Sequence, residues 1–237
     1  MTPEIFYKQF EDWGVEHANE DMVKKYSRYF KENYDAYGLT QQLMDEKAKE
    51  ILEMPGFNLK LLLKSAPLFF NNGKYEATSI LLMLLNRLQK QYTPELFQEL
   101  SSWFALGIRN WAHADMLGMF ILPEFMKKGM IRMNDFDSWL TSPYKFQQRC
   151  VPVTLIKNAK NGEDVKILFN YITPLMMTEE REVRQGVGWF LKECWKLKPL
   201  ETEEFLLKWK DTAPRLIFQL ACEKMTPENK LRFKKAK

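Results

Sequence analysis

The sequence predicts an all-α protein, an α-solenoid of HEAT-like helical repeats. Three observations carry that expectation. Apolar residues recur at three- and four-residue steps along almost the whole chain. Glycine is scarce, at 10 of 237 residues, which disfavours a turn-rich β protein. Lastly, a helical pattern returns at a fixed interval. "KYEATSILLML" from Lys74, "RNWAHADMLGM" from Arg109, "QQRCVPVTLI" from Gln147 and "VRQGVGWFLKE" from Val183 align with Ala77, His113, Cys150 and Gly186 in one phase. The steps between those four positions are 36, 37 and 36 residues. A period of roughly 35–45 residues made of helix pairs marks a stacked helical repeat.

The predicted helices follow in order: Pro3–Trp13, Asp21–Glu32, Gln41–Leu52, Leu59–Phe69, Tyr75–Lys90, Pro94–Leu106, Trp111–Lys127, Pro143–Lys160, Glu163–Ile172, Glu179–Trp195, Thr202–Trp209 and Ala213–Glu223. Their ends coincide with Thr93-Pro94, Ser142-Pro143, Asn161-Gly162, Thr173-Pro174 and Thr226-Pro227, the residues that start and stop helices. No stretch alternates with period two long enough to be a strand, and no linker divides the chain. The expectation is one repeat domain over residues 1–237.

Composition narrows the function. Cys150, Cys194 and Cys222 are odd in number and widely spaced, against a disulfide framework or a zinc site and for a reducing compartment. His17 and His113 have no second histidine at ligand spacing and read as structural; the sequence implies no metal and no cofactor. The first residues lack the apolar core of a signal peptide, and the longest apolar run, Ile80–Leu85, is too short to cross a bilayer. A cytoplasmic, monomeric protein without membrane contact is expected. The net charge of +4 permits a nucleic-acid partner without requiring one.

Equivalent positions of stacked repeats line one surface. Trp111 and Asp115 flank His113 by two residues each way, Arg149 precedes Cys150, and Trp189 follows Gly186 by three. Trp111 and Asp115, four apart, share a helix face, while His113 points away from it. Arg109, Lys145, Arg149, Arg181 and Arg184 sit at or near the starts of the repeated helices, where cations and free N–H groups suit phosphate. Spaced along a concave face, they would track a DNA backbone. Taken singly, these residues have plainer readings: tryptophan as packing, which is preferred for Trp13, Trp103, Trp139, Trp195 and Trp209; Asp115 as a solvated charge; Arg149 as a salt bridge between repeats. The final Arg232–Lys237 reads as a frayed basic tail.

Four motifs resemble one family. They are Trp-x-x-x-Asp at Trp111–Asp115, Gln148-Arg149, Gly-Trp-x-Leu-Lys-Glu at Gly188–Glu193, and "RYFKENYDAYGL" at Arg28–Leu39. Together they resemble the bacterial DNA alkylation repair glycosylases of the AlkC/AlkD type, closest to the AlkD branch. The resemblance implies a monofunctional, metal-independent glycosylase that excises cationic N3- and N7-alkylated purines from duplex DNA. It implies Asp115 as the catalytic carboxylate, Trp111 and Trp189 as the aromatic pair beside the lesion, Arg149 on the DNA backbone and Tyr29 near the opposite face of the duplex. Lys145, Arg184 and Arg109 complete the expected DNA contacts. The chain departs from the AlkD pattern at Ala112, where that branch has aspartate, and at His113, where it has a small polar residue. Two other readings stand beside it: a non-catalytic binder of branched DNA, and a protein-binding scaffold.

Overall fold

A computed structural model of the protein describes residues 1–31 and 34–235. Every regular element among them is helical. The chain forms two compact units, Met1–His113 and Ala114–Lys237.

The first unit contains α1 (Pro3–Glu16), α2 (Glu20–Ser27), α3 (Gln41–Glu53), α4 (Leu59–Asn72), α5 (Tyr75–Arg87) and α6 (Pro94–Leu106). Side-chain caps start several of them: Thr2, Asn19, Thr40 and Asn58 each accept a backbone N–H of the first turn. Helix α4 packs on α1, α5 and α6, and α3 packs on α5, around a core that includes Phe6, Phe10, Phe69, Leu62 and Trp103. Predicted and observed bounds coincide at Pro94–Leu106. Helix α2 stops at Ser27, short of the predicted Glu32, which lies outside the described residues.

Between α2 and α3 the chain is pinned by a buried carboxylate. Glu76, on the first turn of α5, accepts from the backbone N–H groups of Tyr37, Gly38 and Leu39 at 2.8, 2.8 and 3.0 Å. Gly38 has φ of +83°, and a Cβ there would lie 2.1 Å from the Asn19 carbonyl oxygen. Both facts require glycine at this position.

Helix α7 (Trp111–Met116) crosses the boundary between the units. The second unit continues with a π turn (Leu117–Ile121), α8 (Leu122–Lys127), α9 (Asp137–Leu140), α10 (Lys145–Lys160), α11 (Val165–Ile172), α12 (Arg181–Leu197), α13 (Pro199–Trp209), α14 (Arg215–Ala221) and α15 (Pro227–Leu231). Within it the π turn, α10, α12 and α14 neighbour one another in that order, while α11 packs on α10 and α13, and α13 on α12. That is the two-row stacking of helical repeats. The predicted helix Trp111–Lys127 is interrupted because Pro123 has no N–H for an ordinary helical bond; the Leu122 N–H instead reaches the Leu117 carbonyl. Gly118 lets this turn lie against α10, where a Cβ would sit 2.8 Å from Val153 Cγ1. Helices α9 and α15 are additions to the predicted set.

The repeat phase has a packing basis. Ala77, His113, Cys150 and Gly186 are all buried. The three cysteines are free and buried. No helix among the described residues is long and apolar enough to cross a membrane, and none of them form a group of three side chains able to hold a metal ion.

Candidate functional site

In the second unit, Asp115 and Arg149 form a two-point ion pair. Arg149 Nε donates to Asp115 Oδ1 at 2.7 Å and Nη2 to Oδ2 at 2.8 Å. A third bond runs from Nη1 to the Glu182 carbonyl, at 2.7 Å. Gly186 leaves the space this needs: a Cβ on it would lie 3.1 Å from Arg149 Cγ. The side chains retain 15% and 7% exposure for Asp115 and Arg149, so the carboxylate edge is reachable while the guanidinium is largely enclosed. Burial pushes the Asp115 carboxyl above the ordinary aspartate value, with Arg149 pulling against it. The guanidinium thus favours the ionised form against burial and fixes the orientation of the carboxylate.

Glu182 is used twice, because its carboxylate also pairs with Lys145 Nζ at 3.2 Å. Lys145 and Arg149, one turn apart on α10, therefore both reach the start of α12. Glu182, Gly186 and Trp189 lie along one face of α12, and Trp189 is half-buried there. Arg184 turns back, donating from Nε to the Thr178 carbonyl at 2.7 Å.

In the first unit, Trp111 is half-buried and its indole is fixed. Nε1 donates to the Tyr29 carbonyl at 3.2 Å, and the ring stacks on Phe30 at 5.6 Å and 22°. Tyr29 itself is 67% exposed. Arg109 is exposed and gives one N–H to the Leu106 carbonyl at 3.2 Å. His113 is buried beneath this surface, stacked on Tyr75 at 4.6 Å. Its Nδ1 accepts from Asn110 Nδ2 at 2.8 Å and its Nε2 lies 2.9 Å from Ser79 Oγ. Burial depresses its pKa to about 3, which keeps the ring neutral.

The expected site residues therefore fall into two groups. Asp115, Arg149 and Lys145 are tied together through Glu182, a residue the sequence reading did not single out. Its bond to Arg149 uses a backbone carbonyl, which no residue type signals; its carboxylate, paired with Lys145, is the only sequence-level cue. Tyr29 and Arg109 face solvent, while Arg184 and Arg149 spend N–H groups on the protein itself. Trp103 and Trp139 are core side chains. Trp13 lies under Lys47 at 5.3 Å, and Trp195 donates to Glu203 at 3.0 Å.

Stacked helix pairs define an all-helical repeat protein, and its second unit holds an arginine-braced carboxylate near the surface. The chain belongs to the DNA alkylation repair enzyme family, whose sequence model matches residues 15–225. Its fold is similar to that of a solved structure described as a predicted DNA alkylation repair enzyme from Enterococcus faecalis. That protein is 15% identical and superposes with a TM-score of 0.73 over 89% of this chain and 98% of its own. No curated protein matches the chain.

Proposed function

We propose that this protein is a DNA glycosylase that releases cationic N3- and N7-alkylated purines from duplex DNA. The observation that supports it most is the Asp115–Arg149 pair, a carboxylate fixed by a two-point ion pair at a mostly buried position that keeps some exposure. Cleaving the bond from deoxyribose C1′ to the purine sends its electron pair to the base and neutralises the base's positive charge. Oxocarbenium character grows on the sugar, and Asp115 stabilises it. Water then bonds to C1′ and gives its proton to Asp115. The leaving base is already cationic and needs no acid. The indoles of Trp111 and Trp189 favour such a cation by about 0.5–2 kcal/mol each. Arg149 orients Asp115 through its bonds to that carboxylate and to the Glu182 carbonyl, and meets a strand phosphate at the small part of its side chain left exposed. Tyr29, Arg109, Lys145 and Arg184 complete the contacts to the duplex, with the whole chain acting as one monomeric cytoplasmic repair domain.

Ala112 favours a second reading, a non-catalytic binder of branched DNA, because it lacks the additional acid that the resemblance implies. Incubating methylated duplex with the protein separates the two. Free 7-methylguanine and 3-methyladenine are expected from the glycosylase; tight junction binding without release is expected from the binder.

A further inference from the structure

Just over half of the aromatic side chains of this protein are buried, and six of those that are not gather at one place in the first unit. Tyr26, Tyr29, Phe30, Tyr34, Tyr75 and Trp111 are all at least partly exposed and line one cavity of about 310 Å³. Its lining carries no charged side chain. The rings are ordered against each other: Phe30 and Tyr34 lie parallel at 4.7 Å and 11°, and Phe30 also stacks on Trp111 at 5.6 Å and 22°. Gln41 gives the cavity a polar edge; its Nε2 donates to Asp45 at 3.0 Å, leaving the amide oxygen toward other donors.

A second cavity of about 470 Å³ shares the Phe30, Tyr34 and Tyr75 walls and adds charged and polar side chains to them. Lys74, Thr78, Arg109 and Asn110 line it. Lys74 is matched by Asp35 at 2.6 Å, whereas Arg109 gives only one N–H to a carbonyl. An uncharged aromatic slot beside an arginine with spare donors is complementary to a nucleotide. The slot takes a flat base and the guanidinium takes its phosphate. A base within a duplex has both faces covered by its neighbours and cannot enter. An unpaired base can.

We propose that the first unit binds an unpaired nucleobase of a DNA strand in this aromatic slot, with Arg109 on the adjoining phosphate. The proposal rests on the reading that the chain binds duplex DNA. It adds a site for a base at a bulge or distortion, which shares Trp111 with the proposed lesion contacts.

The test is fluorescence anisotropy with a labelled duplex carrying one unpaired adenine and with the same duplex fully paired, at one salt concentration. The wild type is expected to favour the bulged duplex about tenfold, the scale of one base–aromatic stack. With 2-aminopurine as the unpaired base, binding should quench its fluorescence. Tyr34→Leu and Tyr26→Leu keep an apolar side chain in the wall. Each is expected to reduce the preference severalfold and to weaken the quenching, while an unchanged helical melting curve confirms folding. Equal wild-type affinity for the two duplexes overturns the proposal. So does a preference that survives in both leucine variants. Failure to bind either duplex overturns the DNA reading itself. Loss of base release with the bulge preference intact overturns only the glycosylase assignment.

Discussion

Replacing Arg149 with methionine tests how the carboxylate is held. The substitution keeps the apolar stem that Gly186 accommodates and deletes the guanidinium. Three charge-assisted hydrogen bonds are lost, two to Asp115 and one to the Glu182 carbonyl. Asp115 keeps only 15% side-chain exposure, so water replaces the cation poorly. Breaking one side of such an enclosed pair costs about 3 kcal/mol, equivalent to about 10 °C in melting temperature for a chain of this size. The cost should depend on pH in a defined direction. Burial already pushes the Asp115 carboxyl up, and the interactions opposing that shift come from Arg149. Without them the folded-state pKa rises further above the unfolded value. A group with a raised folded pKa stabilises fully below its unfolded pKa and loses that contribution as pH rises through the folded one. Arg149→Met should therefore lose more stability at pH 7.5 than at pH 4.5, by about 1.4 kcal/mol per unit of added shift. Urea melts at the two pH values measure this directly, with Asp115→Asn/Arg149→Met expected to remove the dependence. A neutral-pH loss below about 1 kcal/mol, or one equal at both pH values, would refute the brace.

Glu76→Ala strands three buried N–H groups of residues 37–39 and should cost about 3 kcal/mol in a denaturant melt. Gly38→Ala meets both a left-handed backbone and the Asn19 carbonyl, and should destabilise by at least about 2 kcal/mol in the same assay. Gly188→Ala places a Cβ 2.7 Å from Leu220 Cβ and 2.9 Å from the Ile217 carbonyl oxygen, forcing α14 from α12 at about 2 kcal/mol. His113 is neutral in the fold, with its pKa depressed to about 3. Its contribution is present above the unfolded value of about 6.5 and is lost as pH falls toward 3. Between pH 6 and 4, wild type should lose about 1.4 kcal/mol per pH unit more than His113→Gln.

The helical class and the repeat were legible because both are written in side-chain periodicity. Ala77, His113, Cys150 and Gly186 share a phase because each sits where helices pack closely, and only small or internally hydrogen-bonded side chains fit there. Trp111, Asp115, Arg149 and Trp189 stood out for the same reason, as positions in phase with those anchors. What the sequence concealed depends on partners distant along the chain. Arg149 is 34 residues from the carboxylate it braces, and its other partner, Glu182, contributes a carbonyl common to every residue type. Glu76 looks like an ordinary first-turn acid until residues 37–39 fold over it. The aromatic slot draws on residues from Tyr26 to Trp111, too scattered to read as a pattern. The break at Leu117–Ile121 was signalled by Pro123 alone, and the apolar spacing ran through it unchanged.

The central claim is that Asp115 stabilises the sugar cation that forms as the base departs. Its most direct measurement is release of free 7-methylguanine and 3-methyladenine from methylated duplex, by wild type and by Asp115→Asn. Both proteins must first be shown to be folded and DNA-bound under the assay conditions. The account predicts release by wild type that declines as pH falls toward a carboxyl value above the usual 3.8. It predicts at least a hundredfold slower release by the variant, in line with about 2.7 kcal/mol or more of lost transition-state stabilisation. Wild-type release matched by a folded, DNA-bound Asp115→Asn would contradict it.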